Sequence, residues 1–124
     1  NARLLTQGLQ KIDGLCGLNG LNLPTVVDGV KHVFHQYAVT VGDGSALSRD
    51  SIVDILKKKG IGSAVFYPKP LHLHPHFSKL GYKEGDFPVS EKVSKKVFSL
   101  PVHPSLGVDE INQIITAFEE IKNE

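Results

Sequence analysis

The chain has 124 residues, 40% of them hydrophobic, and a formal net charge of +1. This length suits one domain with its own core, and the charge excludes a general attraction to nucleic acid or to an anionic membrane surface. The single cysteine, Cys16, cannot form an internal disulfide and favours a reducing, cytoplasmic location, while no apolar run is long enough to cross a membrane.

The chain opens on an amphipathic helix. Apolar residues recur at helical spacing from Leu4 to Ile12, and Asp13-Gly14 is typical of a helix end. No good capping residue precedes the first turn, and the chain contains no methionine. We therefore expect residues 1–14 to be the end of a longer helix, and the chain to be a fragment of a larger protein.

The first strands follow a loop rich in glycine and asparagine. Within residues 15–30 a short strand is expected near Thr25–Val27. Residues 31–41, KHVFHQYAVTV, alternate between two faces and are rich in β-branched and aromatic residues, which predicts a strand over the whole segment. The turn residues GDGS at 42–45 end it.

A second helix comes next and leads into another strand. Ser48 is typical of an N-cap, and the apolar residues from Ile52 to Leu56 have helical spacing. Lysines at 57–59 and then Gly60 are typical of a helix end. The apolar segment Ile61–Phe66 predicts a short buried strand.

The remaining elements complete the predicted fold. Residues 67–87 are too rich in proline, glycine and histidine for a regular element. A helix is expected from Pro88 to about Phe98, an extended segment over 99–104, and a last helix from Asp109. Strands alternating with helices predict a two-layer α/β (α+β) domain, with a small, mainly antiparallel or mixed sheet and helices on one face.

Three histidines in the proline-rich loop offer a possible metal site. If the loop were extended, His72, His74 and His76 would share one face, and three imidazoles plus water can hold zinc. Pro70 and Pro75 interrupt that alternation, however, and no cysteine is near. His74 and His76 also fit ordinary surface positions, whereas His72 lies in a loop that the two prolines stiffen, as binding loops often are.

From Arg49 to Ile121 the sequence resembles the C-terminal domain of the DegT/DnrJ family of pyridoxal-phosphate-dependent sugar aminotransferases. The matching motifs are FYPKPLHLHPHF at 66–77, FPVSE at 87–91 and SLPVHP at 99–104. The resemblance implies that residues 1–124 are the small domain of an aspartate-aminotransferase (type I) fold. Its large domain would carry the pyridoxal phosphate and the catalytic lysine, so this fragment alone is expected to be inactive.

The resemblance also implies a reaction and substrate-binding residues. A homodimeric enzyme would transfer an amino group from an amino acid, such as glutamate, to a nucleotide-linked keto-sugar in amino-sugar or polysaccharide biosynthesis. By motif, Tyr67, His72 and Glu91 are the implied substrate-binding residues, because a phenol and an imidazole can hydrogen-bond sugar or phosphate oxygens. Glu91 is also an acid in the first turn of a helix, which stabilises that helix regardless of any ligand.

Two other functions fit the residues. The chain could be a stand-alone binding module for nucleotide sugars or for a protein partner. It could also be a zinc-binding domain that uses the three loop histidines.

Overall fold

The computed structural model describes residues 1–17 and 19–123. The helices are α1 (Ala2–Lys11), α2 (Arg49–Lys58), α3 (Pro75–Ser78), α4 (Pro88–Ser94) and α5 (Val108–Asn123), and the strands are β1 (Leu21–Asn22), β2 (Tyr37–Val41) and β3 (Val97–Leu100). The strands form one sheet in the order β1-β2-β3 with both pairings antiparallel, which confirms the predicted α/β fold. None of the described helices combines the length and the apolarity needed to cross a bilayer.

One apolar core joins the sheet to helices α1, α2 and α5. Val39 of β2 lies opposite Phe98 of β3, and both side chains are buried together with Leu9 of α1, Leu56 of α2 and Phe118 of α5. Each of these large side chains contributes about 1.5–3 kcal/mol by leaving water. The core therefore holds the sheet against the three long helices and forms the rigid part of the molecule.

The ends of α2 are those that the sequence predicts. The backbone N–H of Ser51 donates to Oγ of Ser48 at 3.1 Å, which confirms Ser48 as the N-cap. At the other end Gly60 has φ of 77°, a left-handed conformation that glycine adopts without strain.

The strand predicted over residues 31–41 is wrong in its first part, because β2 begins only at Tyr37. Phe34 has φ of 47°, and its N–H donates to Nδ1 of His32 at 2.8 Å, so the chain turns where an extended segment was expected. Val33 is 83% exposed rather than part of a buried face. The alternating pattern continues beyond the residues for which a partner strand exists.

Two shorter predicted strands also differ from the structure. The strand that pairs with β2 on the side away from β3 is Leu21–Asn22, not Thr25–Val27. The segment Ile61–Phe66 makes one isolated bridge, between Ala64 and Ser99, instead of a strand. Both differences concern pairing with a distant segment, which local residue preference does not decide.

The fourth helix is shorter than its apolar spacing indicates. The sequence predicts that it continues to about Phe98, but it ends at Ser94, and Val97 and Phe98 belong to β3. Pairing with β2 satisfies their backbone groups and buries the Phe98 ring, so tertiary contacts outweigh the helical spacing. Val89, in the first turn of the helix, is 75% exposed.

Gly8 marks a close approach between α1 and α5. A Cβ atom on Gly8 would lie 2.1 Å from Cδ1 and 2.7 Å from Cγ1 of Ile115. Replacing glycine by alanine inside a helix normally stabilises by about 1 kcal/mol, but overpacking a core costs about 1–3 kcal/mol. We expect Gly8→Ala to lower the free energy of unfolding by up to about 2 kcal/mol, measured by urea denaturation.

Gly8→Ala should have the opposite effect on stability when the side chain of Ile115 is shortened. In an Ile115→Ala background the new methyl group has room, so Gly8→Ala should stabilise the protein relative to Ile115→Ala alone. Stabilisation by Gly8→Ala in the otherwise unchanged chain would contradict the close contact between the two helices.

Candidate functional site

The proline-rich loop and the start of α4 together line an apolar cleft of about 600 Å³. The loop is not wholly irregular, since Leu71–Leu73 forms a 3-10 turn and α3 follows it directly. The principal lining side chains are Tyr67, Leu71, His72, Tyr82, Phe87 and Val93. The cleft is therefore built largely from aromatic and aliphatic groups, with few polar groups to orient a ligand.

His72 and Glu91 meet where the loop contacts α4. Nε2 of His72 lies 2.9 Å from Oε1 of Glu91, although the two residues are 19 positions apart in the chain. The residues are 8% and 9% exposed, respectively. The His72 ring also packs edge-on against Phe87, with ring centroids 4.9 Å apart. A carboxylate on one side and an aromatic ring on another thus hold the imidazole.

Glu91 gathers backbone donors as well as the histidine. Its Oε1 also accepts the N–H of Gly85 at 2.9 Å and the N–H of Phe87 at 3.4 Å. Burial alone raises the pKa of the Glu91 carboxyl, but the hydrogen bonds from His72, Gly85 and Phe87 together hold that pKa below its ordinary value of 4.5. Glu91 is therefore ionised at neutral pH and acts only as an acceptor.

Tyr67 lines the cleft, as His72 does, and is more exposed than either His72 or Glu91. Its side chain is 63% exposed, so its phenol is open to a ligand, whereas His72 and Glu91 are buried. The structure therefore brings the motif residues to one region, in the form of an exposed phenol and a buried imidazole–carboxylate pair. Lys69, also exposed, is a further polar group of the cleft that the sequence pattern did not single out.

The three loop histidines do not converge on one point. Nε2 of His72 meets Glu91, Nε2 of His74 lies 3.3 Å from the carbonyl oxygen of Lys69, and His76 is exposed on α3. Over residues 1–17 and 19–123, no three potential metal ligands lie together. The loop is folded into turns, so the alternating spacing does not place the histidines on one face.

A larger cleft, of about 1220 Å³, was not foreseen from the sequence. Its polar lining includes Arg3 at the start of α1, His35 before β2, His103 after β3 and Glu110 on α5. Asn1 contributes to this region, where its Nδ2 donates to the carbonyl oxygen of His103 at 2.8 Å. Arg3, His35 and the pair His103 and Glu110 are far apart in the chain, so no single local motif could have indicated that they share a cleft.

The family resemblance implies a catalytic lysine in the large domain, and the lysines of this chain lie at surface positions. Every lysine in the chain is exposed except Lys59 and Lys96, which are half-buried and bind Glu120 and Asp43. A lysine that forms a Schiff base is commonly activated by desolvation, and these surface positions do not offer it. The residues present therefore do not fit pyridoxal phosphate by themselves.

The sequence model of the DegT/DnrJ/EryC1/StrS aminotransferase family matches residues 1–119. The chain is 43% identical over 97 residues to the "Pleiotropic regulatory protein" of Geobacillus stearothermophilus, a match that covers 78% of this chain and 25% of that protein. It is 38% identical to the dTDP-3-amino-3,4,6-trideoxy-alpha-D-glucose transaminase of Micromonospora megalomicea subsp. nigra, over 89% of this chain and 29% of that enzyme.

A crystal structure shows the same relation at the level of the fold. DesV of S. venezuelae superposes with a TM-score of 0.82 and 28% sequence identity, covering 99% of this chain and 31% of DesV. The chain thus spans between a quarter and a third of the length of the proteins that it matches.

The hydrogen bonds at Glu91 predict a specific acid dependence of stability. Because folding lowers its pKa, the ionised carboxylate contributes stability that is present above about pH 4.5 and is lost as the pH falls through the folded-state pKa. We expect Glu91→Gln to lower the thermal midpoint at pH 7 and to flatten the loss of stability on acidification. Thermal unfolding followed by circular dichroism from pH 7 to pH 2 measures both effects.

Glu84→Gln is the matched control, since Glu84 is an exposed acid in the same loop and its substitution changes the net charge equally. Identical pH profiles for the two variants would show that the donors around Glu91 do not hold its carboxylate in solution.

Proposed function

The chain belongs to the DegT/DnrJ/EryC1/StrS aminotransferase family, and we propose that it is the C-terminal small domain of a pyridoxal-phosphate-dependent aminotransferase acting on a nucleotide-linked keto-sugar. Residues 1–14 would be the end of the helix that joins the two domains. The observation that carries the proposal is the family match over residues 1–119. The Micromonospora relative, whose name states that it is a dTDP-amino-sugar transaminase, supports the substrate class.

In this proposal the rest of the protein holds the cofactor. The surface position of the lysines is consistent with a catalytic lysine that lies outside this chain. Pyridoxal phosphate supplies, when bound, an electron sink for moving the amino group. The residues of this chain would bind and orient the nucleotide sugar and would close the active site against water.

The 600 Å³ cleft is the proposed contact with the nucleotide sugar, and Tyr67 and His72 are its proposed substrate-binding residues. Glu91, the third proposed substrate-binding residue, does not line the cleft and would act through its hydrogen bond to His72. The exposed Tyr67 phenol can donate to or accept from a sugar or phosphate oxygen. His72 offers an imidazole whose position is set by Glu91. Lys69 adds a positive charge to the same cleft, which suits a diphosphate group.

The proposal extends to the setting of the reaction. The amino donor would be an amino acid such as glutamate, and the enzyme would be a homodimer in the cytoplasm that serves amino-sugar or polysaccharide biosynthesis. Neither nucleic acid nor a membrane would be a partner.

Activity of the full-length protein tests the reaction. With added pyridoxal phosphate, glutamate and a dTDP-linked keto-sugar, it should form the dTDP-amino-sugar and 2-oxoglutarate, both measured by mass spectrometry. Residues 1–124 alone should form neither product, because they lack the catalytic lysine. A full-length protein that binds dTDP-sugars but transfers no amino group from any amino acid would favour a binding module instead.

Two substitutions test the proposed contacts. Tyr67→Phe and His72→Gln should each raise KM for the nucleotide sugar about tenfold, the effect of losing one hydrogen bond to a charged group. The absorbance of the bound cofactor should not change, because the cofactor lies in the other domain. His76→Asn, which alters an exposed histidine of the same loop, is the control. Unaltered KM and kcat in both test variants would remove the cleft from the proposed site.

A further inference from the structure

The contact between His72 and Glu91 decides which ring nitrogen can meet a ligand. Glu91 is ionised and already accepts two backbone N–H groups on Oε1. A carboxylate cannot donate a hydrogen, so Nε2 of His72, 2.9 Å away, must be the donor in their hydrogen bond. Nδ1 is then the ring nitrogen left for a bound molecule.

The surroundings of the ring keep it in this orientation. The N–H of Leu73 donates to the carbonyl oxygen of Pro70, and the N–H of His74 donates to that of Leu71, each at 3.1 Å, which closes the turn that carries His72. Phe87 packs edge-on against the ring, and His72 is only 8% exposed to solvent. Rotation of the ring would break the bond to Glu91 and leave a buried charge without its partner.

We propose that Glu91 is a positioning residue that acts on the substrate only through His72: its carboxylate accepts the Nε2 hydrogen and balances the charge of the doubly protonated ring, so that Nδ1–H can donate to the diphosphate of the nucleotide sugar. The inference rests on the proposed function, since it presupposes that His72 contacts the nucleotide sugar in the cleft.

The arrangement suits a phosphate better than a neutral group. When the ring carries both hydrogens, Nδ1–H donates to a phosphate oxygen while the Glu91 carboxylate balances the positive charge at Nε2. Lys69 lines the same cleft and brings a second cation toward the same anion. Without Glu91 the charged ring would be buried and unpaired, and the contact with phosphate would weaken.

A purely helix-stabilising role does not account for the contacts of Glu91. An acid at a helix start is favourable while fully exposed. Glu91 is instead buried against an imidazole from a separate segment, and its Oε1 accepts the ring N–H as well as two backbone N–H groups. The side chain of Glu91 therefore joins the proline-rich loop to α4.

Nuclear magnetic resonance of the full-length protein, with histidine labelled by ¹⁵N in the ring, reads the hydrogen positions directly. The His72 signals are identified by their loss in His72→Gln. At a pH where titration shows the ring to be neutral, we expect the hydrogen on Nε2 and a bare Nδ1. Addition of dTDP should then shift the Nδ1 resonance toward that of a protonated nitrogen, because a phosphate oxygen can only accept the hydrogen bond. A hydrogen on Nδ1 in the neutral ring would overturn the proposal.

Calorimetric titration with dTDP supplies the functional readout. Glu91→Gln should weaken dTDP binding about tenfold, as expected for one lost charge-assisted hydrogen bond, and should change the His72 ring resonances. Glu84→Gln, the exposed control, should change neither. Glu91→Asp keeps the charge but withdraws the carboxylate by one methylene, so it should also weaken binding. It replaces Glu91→Gln as the deciding variant if the latter does not fold.

The outcomes separate this inference from the function on which it rests. Weaker dTDP binding in both His72→Gln and the Glu91 variant, with altered ring resonances, supports the proposal. Weaker binding in His72→Gln alone overturns the role of Glu91 and leaves the substrate site intact. Unchanged binding in both variants overturns the role of His72 and, with it, the positioning role of Glu91.

Discussion

One carboxylate oxygen organises the candidate site. Oε1 of Glu91 accepts the His72 ring N–H and the N–H groups of Gly85 and Phe87, and so ties the proline-rich loop, the turn before α4 and α4 itself to one point. Gly85 can present its N–H there because it adopts φ of 95°, a conformation that side chains disfavour. Without this acceptor, three donors in a largely apolar region would need other partners.

The site and the core are stabilised in different ways. The sheet and the long helices are joined by side chains such as Phe98 and Phe118, which are almost completely buried. The loop and α4 instead expose large apolar groups, among them Leu71 and Val89, and depend on hydrogen bonds and ring contacts. A site of this kind can adjust to a ligand more readily than the core can, since few buried apolar contacts hold it.

Polar contacts connect the site to the rigid part of the fold. Nη1 of Arg49, at the start of α2, donates to the carbonyl oxygen of Ser94 at the end of α4 at 2.7 Å. Asp43, in the turn after β2, binds the amines of Lys92 and Lys96, and these hydrogen bonds lower its pKa to about 2. Because Asp43 and Lys92 are exposed, dissolved salt screens the ion pair between them. The hydrogen bond from Arg49 to Ser94 is partly buried and is therefore screened less.

The sequence by itself determined the long helices, the fold class, the family and the identity of the motif residues. Helical periodicity, the Ser48 cap and the Gly60 stop depend on groups a few residues apart, and such local rules can be read along the chain. Only the tertiary structure decided where strands pair, because Val97, predicted to lie in the helix that begins at Pro88, instead begins β3 and pairs with β2. It likewise decided that His72 turns to Glu91 instead of to two other histidines, since that hydrogen bond spans 19 positions and exists only when the loop folds onto α4.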